Sequence, residues 1–85
     1  MEARKRVAWN VRRLRVGAGL TQEALAHEAG LDVSYIGRIE RGTQNPSIAA
    51  LEKLAVRLSV DILDLLAIPE ADAPPPASIK PGRRR

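Results

Sequence analysis

Cysteine and phenylalanine are absent from this chain, which has one tryptophan and one tyrosine. The lack of cysteine excludes a disulfide framework and a thiolate metal site, and it suits a reducing cytoplasm. No apolar run approaches the roughly 20 residues that a membrane-spanning helix needs, and the basic N-terminus lacks the apolar segment of a signal peptide. We therefore expect a cytoplasmic protein whose core is built from leucine, isoleucine, valine and alanine.

Residues with which enzymes perform chemistry are also scarce. The single histidine, His27, has no second ligand at the spacing of a metal site, and a glycine-rich phosphate loop is missing. No pair of carboxylates has a reason to meet in a cleft. We expect a protein that is not an enzyme and that needs no metal or cofactor.

Positive charge is in excess and lies near the two ends of the chain. Of 85 residues, 14 are lysine or arginine and 10 are aspartate or glutamate, which gives a net charge of +4. Six basic residues fall within the first 15 positions and four within the last six. Basic ends suit a polyanionic partner, and a merely soluble surface would also account for them.

Apolar residues recur with helical spacing and strand-like alternation is missing, so the sequence predicts an all-α fold. Val7, Val11 and Leu14 share one face of a first helix. Four more helices are predicted to start after residues that favour the N-cap position. These caps are Thr21, Asp32, Ser47 and Asp61. The second helix should stop at Gly30 and the third at Gly42, since glycine accepts the backbone of a helix end.

The fifth predicted helix, residues 62–67, is almost entirely apolar. So short a helix cannot bury both of its faces against one small core. Leu63 is therefore either a tolerated exposed side chain or part of a contact with another subunit, and we favour the subunit contact.

The chain divides into a domain of residues 1–69 and a tail of residues 70–85. Five of the six prolines lie between positions 69 and 85, where there is little to bury. This composition predicts a flexible tail with a basic tip.

The second and third helices are joined by a short connection that contains Gly30. Two helices with so short a connection are typical of the helix-turn-helix unit, in which the second helix of the pair lies in the major groove of DNA. The outward side of that helix is predicted to carry the candidate base contacts, Val33, Ser34, Gly37 and Arg38. Arg38 is the strongest of them because its planar fork matches O6 and N7 of guanine. The alternative for Arg38 is a phosphate contact or a solvated charge.

Several short motifs resemble one known family. They are Thr21-Gln22-Glu23, Ile39-Glu40-Arg41-Gly42 and Asn45-Pro46-Ser47, followed by the apolar set Leu51, Leu54, Ala55 and Leu58. From about Val7 to Leu66 the chain resembles the lambda-repressor-like, or XRE/Cro, DNA-binding domains of bacteria and phages. The resemblance implies a compact five-helix domain that regulates transcription. It also implies a homodimer on a roughly palindromic operator of double-stranded DNA, in the bacterial nucleoid.

The resemblance also assigns roles to individual residues. Base contacts fall on Val33, Ser34 and Arg38, although Val33 replaces the larger polar residue common in the family and cannot donate a hydrogen bond. The residues expected at DNA phosphates are Gln22, Arg41, Thr43, Gln44 and Asn45. For Asn45 a cap on the following turn, and for Arg41 a solvated cation, are equally good interpretations.

Two further sets have structural roles. The resemblance suggests a partly buried ion pair between Arg15 and Glu40 that fixes the first helix to the third. The apolar side chains Ile62, Leu63 and Leu66 are the candidate dimer interface.

Within the family, controller proteins, phage repressors and antitoxins all fit a domain of this size. The second hypothesis is an interaction module, such as an antitoxin, whose tail binds a protein partner. Neither the operator nor the sign of regulation follows from the sequence.

Overall fold

The computed structural model describes residues 2–69, and this part of the chain is entirely α-helical, as predicted. Its helices are α1 (Ala3–Gly17), α2 (Gln22–Ala29), α3 (Val33–Glu40), α4 (Ile48–Leu58) and α5 (Ile62–Leu66). None of them has the length and apolarity that a bilayer crossing requires. The predicted tail, residues 70–85, and the interaction hypothesis that depends on it lie outside the described residues.

Four helices begin where the sequence places a side-chain acceptor. Thr21 accepts from the backbone N–H of Ala24 and Ser47 from that of Ala50, each at 3.0 Å. Asp32 caps α3 and Asp61 caps α5, the latter within a reciprocal capping box. All four predicted caps are confirmed, and each is worth about 1 kcal/mol. By contrast, α1 begins at Ala3, before the apolar stripe that revealed it.

The core is formed where α1 packs against α3 and α5, α2 packs against α3 and α4, and α4 packs against α5. Its most deeply buried aliphatic side chains are Val11, Leu25, Ile36, Ile39, Leu54 and Leu65. Because both isoleucines of α3, Ile36 and Ile39, are buried in this core, the opposite face of α3 is directed towards solvent. Tyr35 is partly buried against this core, and its hydroxyl accepts a hydrogen bond from the backbone N–H of Ser47 at 3.2 Å.

Asn10 is a buried polar residue that the sequence analysis did not single out. Its side chain is 1 % exposed, and its amide nitrogen donates to the backbone oxygens of Leu65 at 3.1 Å and of Ala67 at 2.8 Å. The last carbonyls of a helix have no partner within that helix. Asn10 therefore satisfies the end of α5 and fastens it to the middle of α1.

Arg15 and Glu40 form an ion pair in the interior. Arg15 Nε lies 2.6 Å from Glu40 Oε2, Arg15 Nη2 lies 3.0 Å from Oε1, and the two side chains are 4 % and 3 % exposed. Arg15 Nη1 also donates to the backbone oxygen of Leu20 at 2.8 Å. The pair thus joins α1, the α1–α2 link at Leu20 and the end of α3.

Replacing Arg15 with alanine should destabilise the fold and weaken DNA binding together. The Glu40 carboxylate would be left buried without its cation, which typically costs about 3–5 kcal/mol. Thermal and urea unfolding measure the loss. Arg13→Ala, an exposed arginine on the same helix, is the matched control and should change stability by no more than about 0.5 kcal/mol. If Arg15→Ala weakens DNA binding but leaves the melting temperature unchanged, the structural role of the ion pair is refuted.

Candidate nucleic-acid interface

The turn between α2 and α3 is held by its backbone. Gly30 has φ 72° and ψ 34°, the left-handed conformation that glycine adopts without the steric cost of a Cβ. The N–H of Leu31 returns to the carbonyl of Ala26 at 2.8 Å, which closes the C-terminus of α2. Asp32 then caps α3 directly. Only three residues separate the two helices, and the arrangement is that of a helix-turn-helix.

The side of α3 opposite the core carries Val33, Ser34 and Arg38, as predicted. Val33 is 41 % exposed, Ser34 is exposed and Arg38 is half-buried. These side chains lie on a rigid helix rather than on a loop, which suits recognition of base edges.

Gly37 does not face solvent, contrary to the prediction. It is buried, and a Cβ built on it would lie 3.2 Å from Nη1 of Arg41 and 3.9 Å from Oε1 of Gln22. The Arg41 side chain thus folds back along α3 and covers the glycine backbone. Gly37 is the position that leaves room for Arg41, and no side chain of its own can contact a base.

Ser34 is engaged with the cap of its own helix. Its hydroxyl donates to Oδ2 of Asp32, which also accepts from the Ser34 backbone N–H at 3.2 Å. The hydrogen bond from the Ser34 side chain is the main cause that lowers the pKa of Asp32, and the positive charge of Arg38 lowers it further. Because its proton is already used, Ser34 is free to accept from a ligand but not to donate to one.

Arg38 is held on several sides. Its Nε donates to Oε1 of Gln44 at 2.9 Å, and its Nη1 lies 3.5 Å from Oγ of Ser34. The guanidinium carbon lies 5.9 Å from the centre of the Tyr35 ring, within cation–π range. A guanidinium has five N–H groups, so three remain for a ligand once these two contacts are counted.

Gln22 is the first residue of α2, at the end where helix amides lack partners and the dipole favours an anion. Its Nε2 donates to Oε1 of Glu40 at 3.0 Å. A carboxylate only accepts, so this contact fixes which end of the Gln22 amide faces Glu40. The second N–H of Nε2 and the backbone amide are available to an anion.

The loop after α3 is tied back to the helix. The backbone N–H and the hydroxyl of Thr43 both donate to the carbonyl of Arg38, at 3.0 Å and 3.3 Å. Asn45 is exposed, whereas Gln44 is half-buried and its side-chain oxygen is occupied by Arg38. Lys5 approaches the same turn, with its Cγ 3.8 Å from a Cβ built on Gly42. The basic N-terminus of α1 therefore adjoins this loop.

The candidate dimer residues on α5 separate into two groups. Ile62 and Leu66 are partly buried against the domain's own core. Leu63 is 70 % exposed and Ile68, just beyond α5, is 68 % exposed. The exposed apolar surface at this end of the molecule thus consists of Leu63 and Ile68.

Comparison with known proteins agrees with this geometry. A family model for the helix-turn-helix domain matches residues 11–65. A hypothetical transcription factor of Neisseria meningitidis is 39 % identical over 64 residues, which cover 75 % of this chain and 60 % of that protein. The chain thus spans less than two thirds of the length of that relative. The control protein C.BamHI of Bacillus amyloliquefaciens is 44 % identical over 57 residues, 66 % of this chain and 70 % of the relative.

Solved structures show the same similarity. The crystal structure of a hypothetical transcription factor from Neisseria superposes with a TM-score of 0.78 at 38 % identity, covering 80 % of this chain and 78 % of that one. The biofilm regulator SinR, crystallised in complex with DNA, superposes with a TM-score of 0.70 at 37 % identity, covering 72 % and 98 %.

The short turn, the capped third helix and the match over most of the domain lead to one conclusion. The chain belongs to the helix-turn-helix family of XRE or lambda-repressor-like transcriptional regulators, a DNA-binding class without enzymatic activity.

Proposed function

We propose that this regulator binds a roughly palindromic operator as a homodimer, with α3 of each subunit in the major groove. The observation that carries the proposal is the division of α3 into two sides. Ile36 and Ile39 are buried on one side, and Arg38 stands on the other with N–H groups to spare. A helix so anchored offers base edges a fixed set of donors.

Within each half-site, Arg38 is the residue that selects a base. Its free terminal N–H groups suit O6 and N7 of guanine, a contact worth about 1–3 kcal/mol of discrimination. Val33 is apolar, exposed and five positions before Arg38, so it is suited to the methyl group of thymine. Ser34 supports Arg38 and accepts from a base at most.

Phosphate contacts would gather around the C-terminal end of α3. Gln22 offers an amide at the N-terminus of α2, beside Glu40 at the end of α3, and Arg41, Thr43 and Asn45 lie in the loop that follows. The proximity of Lys5 to Gly42 extends the positive surface from that loop along α1. Contacts of this type set the register of the protein on the duplex and supply affinity that falls with salt.

The dimer would form through the end of the domain at α5. Leu63 on α5 and Ile68 just beyond it expose apolar surface. The hydrogen bonds of Asn10 fix this end of α5 to α1. Two copies related by a two-fold axis would bury these side chains and place the two α3 helices on one face of the duplex. Half-sites about 34–36 Å apart are then expected.

Replacing Arg38 with alanine should remove the preference for guanine at one base pair per half-site. Selection from random duplex DNA by the wild-type chain defines the operator, and titrations against operators changed at single base pairs measure the preference. Asn45→Ala, a phosphate candidate in the adjacent loop, is the comparison and should weaken all sequences about equally. If Arg38→Ala lowers the affinity for every DNA sequence by the same factor, Arg38 contacts phosphate instead.

Leu63→Ser should shift the chain from dimer towards monomer and reduce operator affinity, since it removes apolar area from the proposed interface. Light scattering after size exclusion, at several concentrations, measures the shift. Ile48→Ser is the matched control, because Ile48 is apolar and 68 % exposed, much like Leu63, but is the first residue of α4. A Leu63→Ser protein as dimeric as the control would place the interface elsewhere.

A further inference from the structure

We infer that Gln44 is a positioning residue that orients Arg38 for base recognition, rather than the phosphate contact expected of it. The inference deepens the proposed function, and it depends on the assignment of Arg38 as a base reader. Gln44 lies outside α3, in the loop that follows it, so its role is set by the fold of that loop and not by helical spacing.

The loop is constructed so that Gln44 reaches back to Arg38. Both donors of Thr43 bind the backbone carbonyl of Arg38, which brings the next residue alongside the Arg38 side chain. Gln44 Oε1 then accepts from Arg38 Nε at 2.9 Å, a hydrogen bond strengthened by the charge of the donor. The loop thus forms hydrogen bonds with both the backbone and the side chain of Arg38.

The other contacts of Arg38 complete the support. The Tyr35 ring lies beneath the guanidinium, and its hydroxyl is itself fixed by the backbone N–H of Ser47. Gln44 holds the Nε edge and Tyr35 holds one face, so the plane and direction of the guanidinium are both set. The outer edge, with Nη2 and one N–H of Nη1, is the edge suited to a guanine.

A phosphate role for Gln44 fits these contacts poorly. Its side-chain oxygen accepts from Arg38 and, as an amide oxygen, has no proton to donate to a phosphate, while one N–H of its Nε2 is directed to the backbone oxygen of Asn45 at 3.5 Å. An unrestrained arginine loses side-chain entropy when it is fixed by a ligand. By restraining Arg38 before DNA arrives, Gln44 lowers that cost for the correct base pair.

The test compares four variants of the full chain: Gln44→Ala, Gln44→Glu, Arg38→Ala and the double variant Arg38→Ala/Gln44→Ala. The measured quantity is the ratio of affinities for the selected operator and for an operator changed at the Arg38 base pair. We expect Gln44→Ala to reduce this ratio about fivefold to tenfold, in keeping with the net contribution of one typical hydrogen bond. Gln44→Glu keeps an acceptor for Nε and should retain the ratio, even though its charge lowers affinity for all DNA.

In the double variant, loss of Gln44 should add nothing to the loss of Arg38, because the two act as one unit. Melting temperatures should match that of the wild type throughout, which separates positioning from folding. If Gln44→Ala lowers the affinity for all DNA sequences equally, and if this loss adds to that of Arg38→Ala, the inference is overturned. The proposed base contact of Arg38 would still stand. If Arg38→Ala itself leaves the ratio unchanged, the proposed readout has failed and the inference falls with it.

Discussion

The buried ion pair between Arg15 and Glu40 is the constraint on which the position of α3 depends. The Glu40 carboxylate accepts from Arg15 twice and from Gln22 once, so it joins α3 to both preceding helices. A buried pair of this kind contributes little net stability compared with apolar residues of the same volume. What it contributes instead is geometry, because α3 cannot rotate or slide without stranding a charge. The same carboxylate sets the direction of the side-chain amide of Gln22, the residue that we propose contacts a DNA phosphate.

Local features of the fold were predictable from the sequence because their causes are local. The side chains of the caps accept from backbone amides two or three residues away, so the local sequence alone locates them. These caps are Thr21, Asp32, Ser47 and Asp61. The turn at Gly30 follows from the same reasoning. The start of α1 was not predictable in this way, since its first turn consists of exposed residues with no apolar period.

Features that depend on distant contacts could not be derived from periodicity. Asn10 looks like any polar helical residue, and its partners are backbone carbonyls 55 and 57 positions away. Helical spacing places Gly37 on the outer side of α3, but it cannot show that the Arg41 side chain folds back over it. The contact from Gln44 to Arg38 depends on the path of a loop, which spacing within α3 does not describe.

The reading surface is a network, and this changes how its sequence preference arises. Asp32 binds Ser34, Ser34 and Gln44 contact Arg38, and the Tyr35 ring lies under it. Residues that share one network are not additive in their effects. In the proposed readout, Ser34 and Gln44 influence the base pair that Arg38 contacts. A code that assigns one base to each exposed position of α3 would not describe such a readout. Relatives that differ at position 44 should then differ in preference even where their third helices are identical.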